Sequence, residues 1–221
     1  MNEKMADIFN TLICGVGGQG VILLGDIMRK YGMKVPWIKN VVGTETRGVS
    51  QREGSVISTV RYLIENKVYS LDEGYDPYDY ISPMIPINGA HLVIGLEPLE
   101  TLRNIKYISE KTVIIFNTRK RLPKNLLLGK NNQKKYPNIG DILELLDQFA
   151  RKTISMDFEE LSKVKFNNTI HSNMIMLGVA VKEFLEIYNE NKMKELLNEF
   201  FGKGSINHEA FELGFNLIDH Y

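Results

Sequence analysis

The sequence predicts an α/β protein with an open, mostly parallel sheet, helices on both faces and a helical C-terminal region. Three observations predict it. The chain opens on an apolar run, a glycine cluster, an amphipathic helical pattern and a second β-branched run. Further on, short apolar β-branched runs alternate with helical patterns, the alternation of a parallel sheet covered by helices. From about residue 158 to residue 221 the patterning is almost entirely helical. The strand–turn–helix–strand opening reads as a βαβ unit, so the sheet is expected to be Rossmann-like.

Ile8 to Cys14 forms the first strand and stops at Gly15. Val21, Leu24, Ile27, Met28 and Tyr31 then recur at the three- and four-residue spacing of one helix face, and Gly32 closes that helix. Val35 to Val42 is the second strand, and Gly54 to Tyr62 a third, with Asn66–Tyr69 as a candidate hairpin partner. The stretch 72–88, marked by Pro77, Pro83 and Pro86, is a long loop of functional or interface type. His91–Leu96 and Thr112–Asn117 read as buried strands, separated by a helix over Leu99–Ile108 that Pro98 can start. Residues 119–136 are basic and broken by Pro123 and Gly129, which describes a solvated connection better than an anion site. Ile139–Phe149 and Thr153–Met156 add another helix and strand, and four helices follow: Asp157–Val164, Ser172–Tyr188, Met193–Phe201 and Ser205–Ile218. Asn173 to Leu185 has almost no polar face before Lys182, so that helix is buried either in the core or against another subunit.

Composition narrows the function. At 221 residues, 43% of them hydrophobic, the chain can bury one core, and a single domain over 1–221 is expected. Lys+Arg and Asp+Glu both number 27, a balance that provides no general phosphate-neutralising surface, so no nucleic-acid partner is expected. Cys14 is the single cysteine and sits in an apolar strand, where a buried, inert thiol is expected. One thiol can supply neither a disulfide nor the thiolates of an iron–sulfur cluster. The four histidines show no metal-ligand spacing, and no catalytic pair stands out, so no metal and no catalytic residue is assigned. No apolar run reaches the length of a membrane span, and Met1–Lys4 leads into no signal-type apolar core. A cytoplasmic protein without membrane contact is expected.

Two segments invite a ligand. Gly15-Val16-Gly17-Gly18-Gln19-Gly20 is a G-x-G-x-x-G sequence between a strand and a helix. Such glycines let backbone approach a ligand, while the helix start presents free N–H groups and a positive dipole end to an anion. A dinucleotide site also wants an acid about 20 residues on, to hold the ribose. Counting on from Gly20 reaches Asn40, and the first acid is Glu45. The turn is therefore read as an anion contact or as a structural turn, with NAD or flavin as the weaker alternative. The second segment, Thr44 to Ser55, holds Glu45, Arg47, Gln51, Arg52 and Glu53, and is placed at the carboxyl ends of the strands. Its arginines either line a polar site, with the fork geometry suited to carboxylate or phosphate, or are neutralised by Glu45 and Glu53.

These segments also carry a resemblance. Gly15–Val21, the run Glu45-x-Arg47-Gly48-x-x-Gln51-Arg52-x-Gly54-Ser55-Val56, Ser82-Pro83-x-Ile85-Pro86, Gly95–Glu100, Asn117-Thr118 and Asn173-Met174-x-Met176-Leu177-Gly178 occur in the order of a known family. They resemble the small subunit of indolepyruvate:ferredoxin oxidoreductases and, more broadly, the gamma subunit or domain of 2-oxoacid:ferredoxin oxidoreductases. Arg47 stands where the indolepyruvate branch has histidine, closer to the pyruvate and ketoacid gamma subunits, and Glu53 replaces a glycine. The resemblance implies an oligomeric complex whose large partner subunit carries thiamine diphosphate and iron–sulfur clusters. That partner decarboxylates an aryl 2-oxoacid, reduces ferredoxin and delivers the acyl group to coenzyme A. It further implies that Gly15, Gly17, Gly18, Gln19, Gly20, Arg47, Gln51 and Arg52 contact coenzyme A or the partner, and that this chain alone is inactive.

Overall fold

A ten-residue strand, β1 (Asp7–Val16), lies inside a six-stranded sheet. The computed structural model describes residues 7–48, 54–64, 82–121 and 136–218. Helix α1 (Val21–Lys34) follows the glycine turn, and then come β2 (Ile38–Arg47) and β3 (Ser55–Ile64). The next elements are β4 (Leu92–Gly95), α2 (Pro98–Arg103), a short 3-10 turn and β5 (Val113–Asn117). The chain continues through α3 (Ile139–Asp147), β6 (Lys152–Met156), α4 (Phe158–Phe166), α5 (Ser172–Glu183), α6 (Glu190–Phe201) and α7 (Ile206–Leu217).

The strand order is β2-β3-β1-β4-β5-β6. β1, β4, β5 and β6 pair in parallel, while β3 is antiparallel to both β1 and β2. Among the described strands only β3 therefore opposes the common direction, and the mostly parallel expectation stands. The βαβ reading needs one correction: β1 and β2 run the same way but are not neighbours, because β3 fills the place between them. A second correction concerns β2, which starts at Ile38 and continues past Val42 to Arg47. Its polar end is strand because Thr44, Glu45, Thr46 and Arg47 pair with Thr59, Ser58, Ile57 and Val56. β2 and β3 thus form an antiparallel hairpin whose end carries Arg47 and Gly48. The hairpin expected at Asn66–Tyr69, loop residues 72–81 and connection residues 122–135 lie outside the described residues.

Helices cover both faces. On one, α1, α5, α6 and α7 pack over Phe9, Ile13, Val60, Tyr62, Leu92 and Ile94; on the other, α2 and α3 cover Leu12, Cys14, Val93, Ile114 and Phe116. The choice left open for the apolar helix is decided here. Every residue from Asn173 to Val181 is at most 5% exposed, so α5 is a core helix of this chain. Its Gly178 and the facing Gly214 let α5 and α7 meet backbone to backbone.

The helix starts explain the role of α1. Asn138, Asp157, Asn189 and Ser205 each cap the helix that follows by accepting from an N–H of its first turn. Before α1 stands Gly20, left-handed at φ 87°, and among the described residues no side chain caps the helix. Its first-turn N–H groups have no intrahelical partners either, so they are offered to whatever lies beyond the turn.

Candidate functional site at the glycine turn

The turn between β1 and α1 sits at the carboxyl edge of the parallel strands. Gly18 and Gly20 both adopt left-handed backbone (φ 96° and 87°), which glycine accepts without strain. The β2–β3 hairpin comes back to it, as Gly17 N–H donates to the Gly54 carbonyl at 2.9 Å and Gly48 N–H to Ser55 at 2.8 Å. A cavity of about 790 Å³ opens between them. Its lining includes Gly17, Gly18, Gly20, the first turn of α1, Arg47, Gly48 and Val56. Two segments separate in sequence are thus brought to one space: the glycine turn leading into the first turn of α1, and Arg47.

The individual residues divide. Gly18 is the open wall, since a side chain there would meet nothing within 4 Å among the described residues. Gly20 is closed, because a Cβ on it would lie 2.1 Å from Asn173 Nδ2. Gln19 turns its side chain away from the large cavity. Its Oε1 accepts from Val16 N–H and its Nε2 donates to the Leu96 carbonyl, both at 2.9 Å. Gly15 lies under that side chain, with Gln19 Oε1 2.8 Å from where a Cβ would sit. Gln51, Arg52 and Glu53 lie outside the described residues.

Arg47 is 66% exposed and donates to Glu45 Oε2 at 3.1 Å. The other Glu45 oxygen accepts from Arg29 at 2.6 Å, and Arg29 also reaches Asp26 at 2.8 Å and Ser58 at 3.1 Å. Of the two readings left open for this segment, neutralisation holds for Glu45. Arg47 nonetheless spends one nitrogen of a five-donor fork on it and keeps an exposed face at the cavity. Arg29 was missed by the sequence reading, although its place one helical step from Asp26 on α1 is a recognisable pairing signal.

Behind the turn lies a second space of about 40 Å³, lined by Gly18, Gln19, Leu96, Asn117, Arg121, Glu159 and others. Arg121 pairs with Glu159 at 3.1 Å, and Arg119 with Asp157 at 3.4 Å. The start of the basic connection is therefore neutralised in place. The buried Glu97 caps α2 by accepting from Glu100 N–H at 2.9 Å. It also accepts from the Tyr136 hydroxyl, and burial raises its carboxyl above the usual range. Burial pushes the Cys14 thiol up to about 12, and its partner is Thr101. Among the described residues no group of three His, Cys, Asp or Glu side chains could hold a metal ion, and no helix is long and apolar enough to cross a membrane.

The intervening β3 also bears on the dinucleotide alternative. The end of β2, where a ribose-binding acid belongs, is displaced from β1 by a whole strand, and its acid Glu45 is held by two arginines.

The fold occurs in solved structures. It is shared with the gamma subunit of a keto/oxoacid ferredoxin oxidoreductase from Geobacter sulfurreducens (TM-score 0.59, 17% identity), over 96% of this chain and 99% of that one. It is shared as well with a 2-oxoglutarate:ferredoxin oxidoreductase from Magnetococcus marinus, solved with 2-oxoglutarate, coenzyme A and succinyl-CoA bound (TM-score 0.66, 18% identity). There the match covers 98% of this chain and 32% of the longer one. The chain belongs to the pyruvate ferredoxin/flavodoxin oxidoreductase family, whose model matches residues 10–217. Its sequence is 29% identical to an indolepyruvate oxidoreductase subunit IorB from Archaeoglobus fulgidus, over 94% of both chains. It is 33% identical to the subunit of the same name from Methanothermobacter thermautotrophicus, over 78% of this chain and 77% of that one.

Proposed function

We propose that this chain is the small subunit of a 2-oxoacid:ferredoxin oxidoreductase of the indolepyruvate type. In this role it supports oxidative decarboxylation of an aryl 2-oxoacid to an acyl-CoA, with electrons passing to ferredoxin on a large partner subunit. The near full-length similarity to indolepyruvate oxidoreductase subunits carries this reading. The residue inventory divides the work. With one cysteine, itself buried, this chain cannot bind an iron–sulfur cluster, so the clusters, together with thiamine diphosphate, are assigned to the partner.

Coenzyme A supplies the thiol that accepts the acyl group. The glycine turn suits its phosphates: uncapped first-turn N–H groups of α1, an open wall at Gly18 and the Arg47 fork share one cavity. In this reading the open backbone at Gly18 admits the anion, Gly17 and Gly20 shape the turn around it, and Arg47 orients it, with Gln51 and Arg52 proposed as further contacts. None of these residues moves a proton or forms a bond; they bind and orient.

The test is co-purification with the large subunit under anaerobic conditions, followed by dye reduction driven by indolepyruvate, other aryl oxoacids and pyruvate. Aryl-oxoacid activity that requires both subunits and coenzyme A is expected. A chain that forms no complex with the large subunit refutes the assignment. Arg47→Ala should raise KM for coenzyme A about fivefold, since an exposed charged contact contributes on the order of 1 kcal/mol. An unchanged KM removes Arg47 from the site.

A further inference from the structure

Glycine permits left-handed backbone but does not enforce it, because it visits both signs of φ about equally. Gly18 and Gly20 are both left-handed, and the helix that follows has no side-chain cap to fix its start. Something else must hold this turn. Three side chains do so, one from the turn itself, one from the end of β5 and one from the start of α5.

The first is Gln19, whose amide spans the turn from Val16 N–H to the Leu96 carbonyl, tying the end of β1 to the end of β4. The second is Asn117, at the end of β5. Its Nδ2 donates to the same Leu96 carbonyl at 3.2 Å, while its Oδ1 accepts from Phe158 N–H at 3.1 Å, the first residue of α4. The third is Asn173, 5% exposed at the start of the core helix α5. It occupies the space a Cβ on Gly20 would need, and its Nδ2 reaches the Gln19 carbonyl at 3.4 Å. Its Oδ1 accepts from Met174 N–H at 2.8 Å, which fixes the side chain's direction. The ends of β1, β4 and β5 and the starts of α4 and α5 are thereby linked behind one turn.

We infer that Gln19, Asn117 and Asn173 are positioning residues that hold the glycine turn in its cavity-facing shape, Gln19 acting from behind the turn without touching the ligand. The inference rests on the coenzyme A reading only for its effect on turnover; the holding of the turn is independent of it.

The experiment uses the complex of this chain with its large subunit and two variants, Gln19→Met and Asn173→Ala. Asn173→Ala removes less of the network, so it provides a readout should Gln19→Met fail to assemble. Hydrogen exchange is followed by mass spectrometry over residues 16–24, with the KM for coenzyme A and kcat measured on the same preparations. Exchange there should accelerate about tenfold while peptides of α6 stay within about twofold of the parent. KM for coenzyme A should rise about fivefold with kcat at saturation kept within about twofold, the signature of a lost binding geometry. Exchange in 16–24 matching the parent in both variants overturns the inference. Faster exchange with an unchanged KM supports the holding role and instead overturns coenzyme A contact at the turn.

Discussion

Gly18 and Gly20 share a left-handed backbone but face different surroundings, and substituting alanine at each separates backbone strain from crowding. At either position an L side chain costs about 1–2 kcal/mol for the left-handed conformation. At Gly18 nothing among the described residues lies within 4 Å, so strain is taken as the cost. At Gly20 the new methyl would sit 2.1 Å from Asn173 Nδ2, in a wall backed by the core helix, and crowding adds about 1–3 kcal/mol. Gly18→Ala should therefore lose about 1–2 kcal/mol and Gly20→Ala about 2–5 kcal/mol. At this chain length each kilocalorie lowers Tm by about 2–4 °C. Asn173→Ala alone should cost about 1–2 kcal/mol, through the bond to Met174 N–H and the longer one to the Gln19 carbonyl. In the double variant Gly20→Ala/Asn173→Ala the clash is gone, so the losses should fall short of additivity by about 1–3 kcal/mol. Urea unfolding of the four proteins beside the parent gives the cycle. Additive losses, or Gly18→Ala as damaging as Gly20→Ala, would refute the account of why position 20 is glycine.

Two further substitutions test the buried titratable groups. The Cys14 thiol, pushed by burial from 9.0 to about 12, contributes stability that is complete below pH 9 and lost as pH rises towards 12, since only the unfolded chain ionises in that window. Cys14→Ala should flatten the alkaline fall in unfolding free energy by up to about 1.4 kcal/mol per pH unit there, and the native thiol should resist iodoacetamide at pH 8; stoichiometric labelling of folded protein would contradict this. Tyr136→Phe removes the hydroxyl donor to the buried Glu97 and should cost about 1–3 kcal/mol at pH 7.5. The Glu97 carboxyl is already raised by burial, so what stability its proton gives is present in acid and lost as pH rises through the folded value. Removing a donor to the charged form widens that loss, and the penalty should be smaller at pH 4.5 than at pH 7.5, as thermal unfolding at the two values will show.

How far the sequence disclosed this arrangement varies by element. β1, α1, β4 and β5 were legible because each is a continuous buried run or a clean helical face, although α1 runs on through Gly32 to Lys34 instead of closing there. The end of β2 was not: Thr44 to Arg47 are polar, half-buried at first and exposed at Thr46 and Arg47, on an edge strand where strand formation depends on pairing with β3. The direction of β3 was also hidden, since Ser58 to Leu63 is buried throughout and a fully buried run has the same composition in either sense. The Glu45–Arg47 pair, one of two readings that the sequence left open, is decided by β2 reaching Arg47, because residues two apart on a strand share a face. Asn173 opens a motif that the sequence showed, but its contact with the turn had no local signal, since it stands 154 residues from the Gln19 carbonyl it reaches.

The place of β3 explains how a dinucleotide-like sequence can lack a dinucleotide-like site. In a doubly wound sheet the strand after the first helix lies beside β1, and its acid meets the ribose of a nucleotide held by the glycine turn. Here that neighbouring place belongs to β3, and β2 lies two strand spacings from β1, roughly 10 Å away. What reaches the turn from that side is the hairpin end, fixed by the bond from Gly17 N–H to the Gly54 carbonyl, and it brings a guanidinium. An acid recognises sugar hydroxyls, whereas an arginine beside free helix N–H groups recognises negatively charged oxygens. The rearranged hairpin thus keeps the half of the site that favours phosphate and removes the half that favours ribose. A ligand engaged through its phosphates, with its reactive end reaching beyond this chain, matches that chemistry better than a nicotinamide or flavin held entirely within it.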